Sequence, residues 1–571
     1  MVALLSIATL LLPLAAVSAT PVPGGADHAA STASSSGPKV TPGYDAFAKA
    51  HKKVTATLNA DSRNIKVHGV TASGVDAYLG IPFAAPRTSH AGPSLTSAVN
   101  ELRWKRPQPY KYRGTINAKK QPVGCPQLPG DPAFGGLAAA RYGTSEDCLT
   151  LSVLVPEGTK PGAKLPVMVY VYGGGFAEGT GATFNSPLLV DAGTKAPVIL
   201  VNFNYRLGML GFPYGRDAEA NNAANLGLHD MIAAFKWVKE HIGSFGGDPE
   251  RVTAFGDSAG AVAISHLMLD EDQDLFSAAV LMSGAPTTLG VPPTNSNDEG
   301  YDKILAAAGC KDWDCLRKVP ADKLLNLSAP TGGFGPTQDG ELIKGFPYEL
   351  VRDGKFSQIP FMTGNERDEA TLFLPFGTTM TDLRSALTGT PLSDDIWDRI
   401  TSAYPADGTY YPQGIENATL PSGQPVNVSA DWTRAVTIME DKMFQSGRRW
   451  LIEHAKNKDT TYTYESLARY QQFFSPVYGA GHGMDLFFLF GWVGADPSSS
   501  EEDVELGKQY MNYCPNRPDS EGPQLPHWAP YSQEKASQLL APGNTTQITD
   551  TFRPQMSLFT EPDVAKVMGF Y

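Results

Sequence analysis

The pentapeptide Gly256-Asp257-Ser258-Ala259-Gly260 joins two segments of different character. Residues 252–255 before it are predicted to form a strand, and the apolar residues 261–264 after it are predicted to begin a helix. A serine at such a junction predicts a turn so tight that only small flanking residues fit, with the hydroxyl held above the sheet. The same pattern arises by chance in glycine-rich loops, but the strand and helix flanks favour a nucleophile at Ser258.

Three consecutive glycines, Gly173-Gly174-Gly175, directly follow a second strand-like segment, residues 167–172. Because glycine has no side chain, the backbone N–H groups of such a loop can converge on one anion. The alternative is a flexible turn, but the position of the loop ahead of the serine turn favours an oxyanion site. The predicted donors are the amides of Gly174, Gly175 and Ala259.

At these positions the chain resembles the type-B carboxylesterases and lipases, a family that includes fungal secreted lipases, cholinesterases and the non-enzymatic neuroligins. The resemblance extends over roughly residues 43–571 and is densest in the first half. It implies an α/β-hydrolase fold and ester hydrolysis by a serine, a histidine and an acid, with no metal and no cofactor. The segments that carry it, besides the serine turn, are Gly80-Ile81-Pro82-Phe83-Ala84, Leu102-Arg103-Trp104, Ser145-Glu146-Asp147-Cys148-Leu149, Asn204-Tyr205-Arg206-Leu207-Gly208, Phe245-Gly246-Gly247-Asp248-Pro249 and Trp528-Ala529-Pro530-Tyr531.

Four histidines follow Ser258 and are candidates for the general base. His266 lies about two turns along the helix after the serine, where it is expected to pack or cap. His454 reads as a solvated helix residue and His527 as part of a proline-rich surface segment. His482 lies in Gly479-Ala480-Gly481-His482-Gly483, which on its own also suits a turn. That loop resembles the catalytic histidine loop of the family, so we expect His482 to be the base.

The residues alone leave the acid open, because aspartates and glutamates are numerous and mostly solvated. Residues 364–373 follow a short apolar strand, residues 359–362, and resemble the acid loop of the family. Glu369 takes the catalytic position there, and Asp368 and Glu366 are ordinary carboxylates. Ser283 resembles a family serine near the acid, or is simply a strand-end serine. The resemblance implies that Glu369 orients the histidine, which activates the serine to form an acyl-enzyme that water hydrolyses.

Residues 1–19 have the features of a secretory signal peptide, with an apolar core and small residues, Val17-Ser18-Ala19, before a predicted cleavage ahead of Thr20. The apolar stretch is too short to span a membrane, and no second stretch of about 20 apolar residues follows. Residues 20–42 are rich in Gly, Pro, Ser and Ala, which predicts a disordered lead-in. We therefore predict a secreted protein without a stable membrane anchor, with one catalytic domain over residues 43–571.

The 5 cysteines suit two disulfides and one remaining thiol in an oxidising compartment. In the family pattern Cys125 pairs with Cys148. Cys310 and Cys315 would close a second, smaller loop, which leaves Cys514 unpaired. Sequons, each a candidate for glycosylation, begin at Asn326, Asn417, Asn427 and Asn544.

Strand-like and helical segments alternate along the chain. Residues 198–201 read as a strand, and the next helix has apolar side chains at a 3.6-residue period: Met231, Ala234, Phe235, Val238 and Ile242. This alternation is typical of an α/β fold, a large, mostly parallel sheet with helices on both faces. The net charge of −13 disfavours binding of nucleic acid or of anionic membrane surfaces, and also favours solubility.

The predicted substrate is a small-molecule or lipid ester. Residues 126–147, between the first two cysteines, contain no tryptophan, which disfavours a choline ester held by cation–π contact. The segment is short and rich in Gly and Ala, so it offers little apolar area for the lid of a lipase. We expect an esterase for soluble esters, with a lipase for long-chain acylglycerols or sterol esters as the alternative.

Two other functions are considered. Acyl transfer, or ester cleavage in secondary metabolism, would use the same residues and stays open. A catalytically inactive binding module is disfavoured because the serine, histidine and acid are all present.

Tyr172 precedes the glycines where many relatives have histidine, which resembles the fungal branch and leaves the backbone donors in place. The sequence does not indicate the oligomeric state.

Overall fold

The structure, a computed structural model, describes residue 47 and residues 52–60, 62–85, 102–128, 142–190, 197–331, 334–375, 377–387, 392–406, 428–470, 478–516, 526–550 and 554–569. The predicted signal peptide, the predicted lead-in and the sequons at Asn417 and Asn427 lie outside these ranges, as does the side chain of Cys514. Most of the segment between Cys125 and Cys148 lies outside them as well.

The described strands form one mixed sheet. Its order is β1-β2-β3-β5-β7-β6-β8-β9-β10-β11-β12-β13, with β4 paired to β2. The strands from β7 to β12 run parallel, and antiparallel strands flank them on both sides. The strands are β1 (Lys52–Ala60), β2 (Arg63–Ala72), β3 (Val75–Pro82), β4 (Thr115–Asn117), β5 (Thr150–Pro156), β6 (Leu165–Val171), β7 (Ile199–Phe203), β8 (Gly247–Asp257), β9 (Ala278–Met282), β10 (Phe361–Glu366), β11 (Thr461–Ser466), β12 (Ala536–Leu540) and β13 (Thr546–Thr549).

Central strands of the sheet are buried along their whole length because the sheet is covered on both faces. Every residue of β7 and β10 is buried, so successive side chains on opposite faces are all shielded from water. The predicted strands near residues 167–172, 198–201 and 252–255 are present as β6, β7 and β8. The strand expected at residues 359–362 begins later, at Phe361, and continues to Glu366. The prediction of an α/β fold with a large, mostly parallel sheet is confirmed.

Helices connect the strands. In α4 the predicted apolar positions from Met231 to Val238 are buried, and Ile242 begins a separate 3₁₀ turn. The α-helices are α1 (Pro187–Val190), α2 (Gly208–Gly211), α3 (Arg216–Ala220), α4 (Leu226–His241), α5 (Ala259–Leu267), α6 (Asp298–Ala308), α7 (Trp313–Leu316), α8 (Ala321–Ser328), α9 (Pro347–Arg352), α10 (Met380–Ala386), α11 (Asp394–Ala403), α12 (Ala430–Glu440), α13 (Ser446–His454), α14 (Asp485–Leu489), α15 (Trp492–Ala495), α16 (Glu501–Asn516) and α17 (Pro562–Val567). A π-helical turn, Asp441–Gln445, joins α12 to α13. The 3₁₀ helices are Gly181–Phe184, Ile242–Phe245, Ala329–Thr331, Glu369–Leu372, Lys458–Thr460 and Pro554–Thr560.

Two hydrophobic clusters lie around this framework. The larger one covers the sheet, and a smaller one joins α10, α11, α12 and α17. The smaller cluster includes Ala370, so the segment that carries the predicted acid is packed on its apolar side. In the part of the chain that the structure describes, every helix is too short or too polar to cross a membrane.

Candidate active site

Ser258 lies on the predicted sharp turn, between the last residue of β8 and the first residue of α5. Its backbone has φ 56° and ψ −127°, a conformation that side-chain-bearing residues rarely adopt. The Ser258 N–H donates to the Met282 carbonyl at 2.8 Å, and the Ser258 carbonyl accepts the Val262 N–H at 2.9 Å. These bonds hold the strained turn, and Ser258 is half-buried between the fully buried Asp257 and Ala259.

The two glycines of the pentapeptide are required by close contact with the neighbouring strand. A β-carbon at Gly256 would lie 2.6 Å from the carbonyl oxygen of Val171, and one at Gly260 would lie 2.0 Å from the same atom. Both distances are far below van der Waals contact with a backbone atom that cannot move aside. The turn at Ser258 therefore forms only with glycine on both sides.

The glycine loop after β6 lies against the serine turn. A β-carbon at Gly173 would lie 2.9 Å from the β-carbon of Ser258. Gly174 and Gly175 have φ values of 104° and 60°, which glycine adopts without strain. The order of the chain thus predicted two neighbouring turns, and the structure brings them into contact.

Backbone amides in this loop are available to a ligand. The Gly174 carbonyl accepts the N–H groups of Ala177 at 3.0 Å and Glu178 at 3.1 Å, which fixes the peptide plane that carries the Gly175 N–H. Within the described part of the chain, the N–H groups of Gly174 and Gly175 donate to no protein acceptor. Ala259 is the first residue of α5, so its N–H has no intrahelical acceptor.

His482 and Glu369 form a buried pair. The Nδ1 atom of His482 lies 2.5 Å from Oε2 of Glu369, and the two side chains are 4% and 0% exposed. The other oxygen of Glu369 accepts the Glu366 N–H at 2.8 Å and the Asn365 side-chain amide at 3.3 Å. The carboxylate is therefore fixed from both sides and can hold the imidazole in one tautomer and one orientation.

The loop that carries His482 is bound to the segment that carries Glu369. Asp368 accepts the Ala480 N–H through its side chain at 2.7 Å, and its own N–H donates to the Ala480 carbonyl at 2.9 Å. Glu366 accepts the Asp485 N–H at 2.7 Å. The Thr371 hydroxyl donates to the Tyr478 carbonyl at 2.8 Å. Both ends of the His482 loop are thus anchored to residues 366–371.

Ser258, Glu369 and His482 lie in segments that follow three strands of the sheet. They follow β8, β10 and β11, which are parallel strands separated only by β9, so their carboxyl ends share an edge. The pKa of Asp257, directly before Ser258, is influenced by the charges of both His482 and Glu369, which places that pair near the serine turn.

Electrostatics at this edge favour a basic imidazole. Burial alone lowers the pKa of His482, but the charge and hydrogen bond of Glu369 outweigh it and raise the pKa above its ordinary 6.5. Burial raises the pKa of Asp257 to about 7, while the charge of His482 acts in the opposite direction. Asp257 is thus only partly ionised at neutral pH, whereas an ordinary aspartate is fully charged there.

Further buried carboxyls surround the pair. Burial and the charge of Asp485 raise the pKa of Glu366 well above its ordinary value, and burial and the charge of Asp257 do the same for Asp485. The Tyr464 hydroxyl donates to Asp485 at 3.1 Å. Several carboxyls so close together in low dielectric cannot all be ionised, so this group retains protons near neutral pH.

Aromatic side chains enclose the imidazole. The ring of Phe373 lies 5.0 Å from that of His482 in an edge arrangement, and the ring of Phe444 lies 5.0 Å away on another side. Phe444 belongs to the π-helical turn, a deviation that often occurs at functional sites. Both aromatic rings therefore pack directly against the buried imidazole.

The other candidate histidines lie elsewhere. His266 is buried in α5, with Nε2 3.0 Å from the Pro286 carbonyl oxygen, as the packing interpretation expects. His454 was expected to be solvated, but it is half-buried and its ring lies 4.1 Å from that of Trp450. His527 is exposed.

Disulfides and sequons are placed as follows. Cys125–Cys148 and Cys310–Cys315 are both bonded, with Cα–Cα distances of 5.0 and 5.4 Å. Asn544 is exposed in a turn after β12, and Asn326 is exposed in α8.

Sequence reasoning overlooked part of the site. It treated Glu366 and Asp368 as ordinary carboxylates, but both are fully buried and hold the His482 loop. It assigned no role to Asp485 either. A signal was present, because Asp485 is a single acid that precedes the apolar run Leu486-Phe487-Phe488. Ser283 donates its N–H to the Gly364 carbonyl at 2.8 Å and is fully buried behind the acid segment.

The mixed sheet with its parallel centre, the serine turn after β8 and the buried acid–histidine pair at the carboxyl edge define a protein of the α/β-hydrolase class. The chain belongs to the carboxylesterase family, whose profile matches residues 61–559. Its chemistry is therefore the hydrolysis of carboxylic esters.

Individual relatives agree with this assignment. Lipase 1 of Geotrichum candidum is 32% identical, and the match covers 89% of this chain and 95% of the lipase. The secreted triacylglycerol lipase LIP1 of Gibberella zeae is 29% identical over 90% of this chain and 91% of that protein. The crystal structure of Aspergillus niger EstA has the same fold, with a TM-score of 0.76 and 21% identity over 90% of this chain and 99% of EstA.

Proposed function

We propose that the protein is a secreted serine esterase in which Ser258, His482 and Glu369 form the catalytic triad. The observation that carries the proposal is the buried hydrogen bond of 2.5 Å between His482 and Glu369, at the same sheet edge as the strained turn of Ser258. Glu369 keeps the proton of the neutral imidazole on Nδ1. The Nε2 atom is then the base that takes the Ser258 proton as the hydroxyl oxygen attacks the ester carbonyl.

The oxyanion of the tetrahedral intermediate is received by the amides of Gly174, Gly175 and Ala259. Two observations support this assignment: the glycine loop contacts the serine turn, and these N–H groups have no acceptor among the described residues. One such donor is typically worth roughly 3–4 kcal/mol in the transition state. Collapse of the intermediate expels the alcohol, which takes a proton from the imidazolium, and water hydrolyses the acyl-enzyme by the same steps.

For the substrate we propose soluble esters, on the basis of the short, Gly- and Ala-rich segment between Cys125 and Cys148. Hydrolysis of insoluble acylglycerols is the second candidate, because both sequence relatives described above are named as lipases. Acyl transfer to an alcohol would use the same acyl-enzyme and is a third outcome of the same assays.

The test is hydrolysis of p-nitrophenyl esters from acetate to palmitate by the purified protein. Ser258→Ala and His482→Ala are expected to lose at least about 10³-fold in kcat. His527→Ala is the control, because that histidine is exposed to solvent whereas His482 is buried, and it should retain wild-type kcat. Turnover that survives Ser258→Ala would refute the proposed nucleophile.

The chain-length profile and an emulsion assay separate the substrate candidates. A peak at short acyl chains, with no rate increase when tributyrin exceeds its solubility, supports an esterase for soluble esters. A long-chain peak with a sharp rise at the solubility limit supports a lipase instead. Formation of a new ester when an alcohol is added would indicate acyl transfer.

Secretion and glycosylation are also part of the proposal. Residues 1–19 direct export and are removed, and the protein is glycosylated at sequons exposed to solvent. Asn544 is the favoured site, because it is exposed in a turn. Asn326 is less suited, because its side-chain amide donates to the Asp322 carbonyl one turn earlier in α8. Mass spectrometry of the secreted protein tests both points, through its N-terminal residue and its glycopeptides.

A further inference from the structure

The loop that carries the proposed oxyanion amides, residues 172–181, is held along its length by residues 204–208, which follow β7. In the middle of the loop, the Gly208 N–H donates to the Phe176 carbonyl at 2.8 Å. At its far end, the Asn204 side chain accepts the Gly181 N–H at 2.9 Å and the Thr180 hydroxyl at 3.1 Å. The near end is held by a pair of tyrosines.

Tyr172 and Tyr205 are joined by two crossed hydrogen bonds between hydroxyl and carbonyl groups, and the Tyr205 N–H also donates to the Tyr172 hydroxyl oxygen at 3.4 Å. The Tyr205 hydroxyl donates to the Tyr172 carbonyl at 2.9 Å, and the Tyr172 hydroxyl donates to the Tyr205 carbonyl at 3.1 Å. Their rings stack with centroids 4.4 Å apart, and both residues are fully buried. A β-carbon at Gly179 would lie 2.5 Å from the Tyr172 ring, so the loop is shaped around this ring.

The Tyr205 side of the pair is fixed to the body of the protein. The next residue, Arg206, donates through Nε and Nη2 to both carboxylate oxygens of Asp230 in α4, at 2.6 and 2.7 Å. Its backbone N–H also donates to Asp230, at 3.1 Å. This ion pair is buried, and its geometry leaves the backbone at residue 205 little freedom. The Tyr205 hydroxyl is therefore a rigid reference point beside the loop.

A peptide group is planar, so the Tyr172 carbonyl and the Gly173 N–H rotate as one unit. The Tyr205 hydroxyl thus sets the orientation of the first peptide of the glycine loop. Glycine itself imposes no such orientation, because it accepts many backbone conformations. From this geometry we infer that Tyr205 is a positioning residue for the oxyanion hole: through the Tyr172 carbonyl it fixes the peptide at which the loop begins, from which the amides of Gly174 and Gly175 follow. The bonds of the Gly174 carbonyl to Ala177 and Glu178 hold the far side of the same two amides. The inference rests on the proposed function, and Tyr205 itself touches no reacting atom.

The test compares Tyr205→Phe with the wild-type protein in kcat, KM and inhibition by a trifluoromethyl ketone. The Ser258 hydroxyl adds to the ketone carbonyl, its proton passes to His482, and the resulting oxyanion occupies the hole. Removing a whole oxyanion donor lowers kcat ~10²–10³-fold. Tyr205→Phe leaves every donor in place and removes only a hydrogen bond that orients the loop, so we expect kcat to fall about 10-fold. The inhibition constant should rise by the same factor, with KM for p-nitrophenyl acetate changed less than about 2-fold.

Two matched variants separate positioning from a general loss of stability. Tyr172→Phe removes both hydrogen bonds of the Tyr172 hydroxyl, to the Tyr205 carbonyl and from the Tyr205 N–H. It keeps the Tyr205 bond to the Tyr172 carbonyl, so its kcat should fall much less. Tyr513 lies in α16, and its hydroxyl donates to the Pro526 carbonyl at 2.8 Å. Tyr513→Phe removes this hydrogen bond and should lower Tm without changing kcat.

The outcomes are distinguishable. If Tyr205→Phe lowers Tm like Tyr513→Phe but leaves kcat and the inhibition constant at wild-type values, the inference is wrong and Tyr205 is merely structural. Equal losses of kcat in Tyr172→Phe and Tyr205→Phe would also overturn it. Hydrolysis that persists in Ser258→Ala would refute the proposed triad, and the inference with it.

Discussion

Replacing Glu369 by glutamine changes the proposed triad in a way that the hydrogen bonds determine. One carboxylate oxygen, Oε1, accepts the Glu366 N–H at 2.8 Å and the Asn365 amide at 3.3 Å, and the other lies 2.5 Å from His482 Nδ1. In the Glu369→Gln variant the amide oxygen must stay at the Oε1 position, because two donors converge there. The amide nitrogen then faces Nδ1.

An amide nitrogen can only donate a hydrogen bond, so Nδ1 must accept and the imidazole proton moves to Nε2. In that tautomer His482 cannot take the proton of Ser258. The corresponding change in a triad with aspartate lowers kcat ~10⁴-fold, which corresponds to about 5.5 kcal/mol. For Glu369→Gln we expect a loss of about 10³–10⁴ in kcat on p-nitrophenyl acetate at pH 8. Circular dichroism verifies that the variant is folded.

Asp368→Asn is the matched control for this prediction. Asp368 lies in the same segment and is also fully buried, but it bonds to the Ala480 N–H at 2.7 Å rather than to the imidazole. The asparagine oxygen can accept the same N–H, so the loss of kcat should stay below about 10-fold. Glu369→Gln with more than a tenth of the wild-type kcat would refute the tautomer argument. Similar losses in both variants would mean that loop placement, not tautomer control, sets the rate.

Three further predictions follow from the same site. Because protonated His482 cannot act as a base and its pKa is raised, kcat/KM should increase with pH through a midpoint above 6.5. A midpoint at or below 6.5 in a pH–rate profile would contradict the raised pKa of His482. The pKa of Asp257 is about 7 in the folded protein and 3.8 in an ordinary aspartate. Protonated Asp257 therefore contributes to the free energy of unfolding in full below about pH 4, and this contribution is lost as the pH rises to about 7. Between pH 5 and 8 the wild type should lose about 2.7 kcal/mol of unfolding free energy relative to Asp257→Asn, because the loss of about 1.36 kcal/mol per pH unit stops near the folded-state pKa of about 7, two units above pH 5. Urea unfolding at both pH values tests this, and parallel pH dependences would count against it. Gly260→Ala places a β-carbon 2.0 Å from a backbone oxygen and should yield no soluble folded protein. Gly243 is exposed, and a β-carbon there would have no neighbouring atom within 4 Å, so Gly243→Ala should express normally. Equal yields of the two variants would show that the backbone adjusts.

Much of the fold could be read from local patterns. The strands β6 and β7 and residues 252–255 of β8 are mostly apolar, and the helix α4 has the 3.6-residue period, because the parallel centre of the sheet must be covered on both faces. The ends of elements were less accurate. The strand expected at residues 359–362 in fact begins at Phe361 and extends to Glu366, since pairing with β9 and β11 decides where it starts and stops.

The carboxyl groups were the least predictable part of the site. Residues alone could not separate Glu369 from Asp368 or Glu366, and only the family resemblance pointed to Glu369. In the structure all three are buried, yet one binds the imidazole and two bind the backbone of the His482 loop. Their partners are more than a hundred residues away in sequence, so no local pattern records which carboxyl meets which group.

The sequence by itself determined the serine turn and the glycine loop. A backbone forced into strained or crowded conformations accepts only glycine at particular positions, wherever the rest of the chain lies, so Gly256, Gly260 and residues 173–175 record that geometry directly. Only the tertiary structure decided the electrostatics. The charge that a carboxyl carries depends on its burial and its neighbours, and the carboxyl ends of β8, β10 and β11 bring those neighbours together from distant parts of the chain.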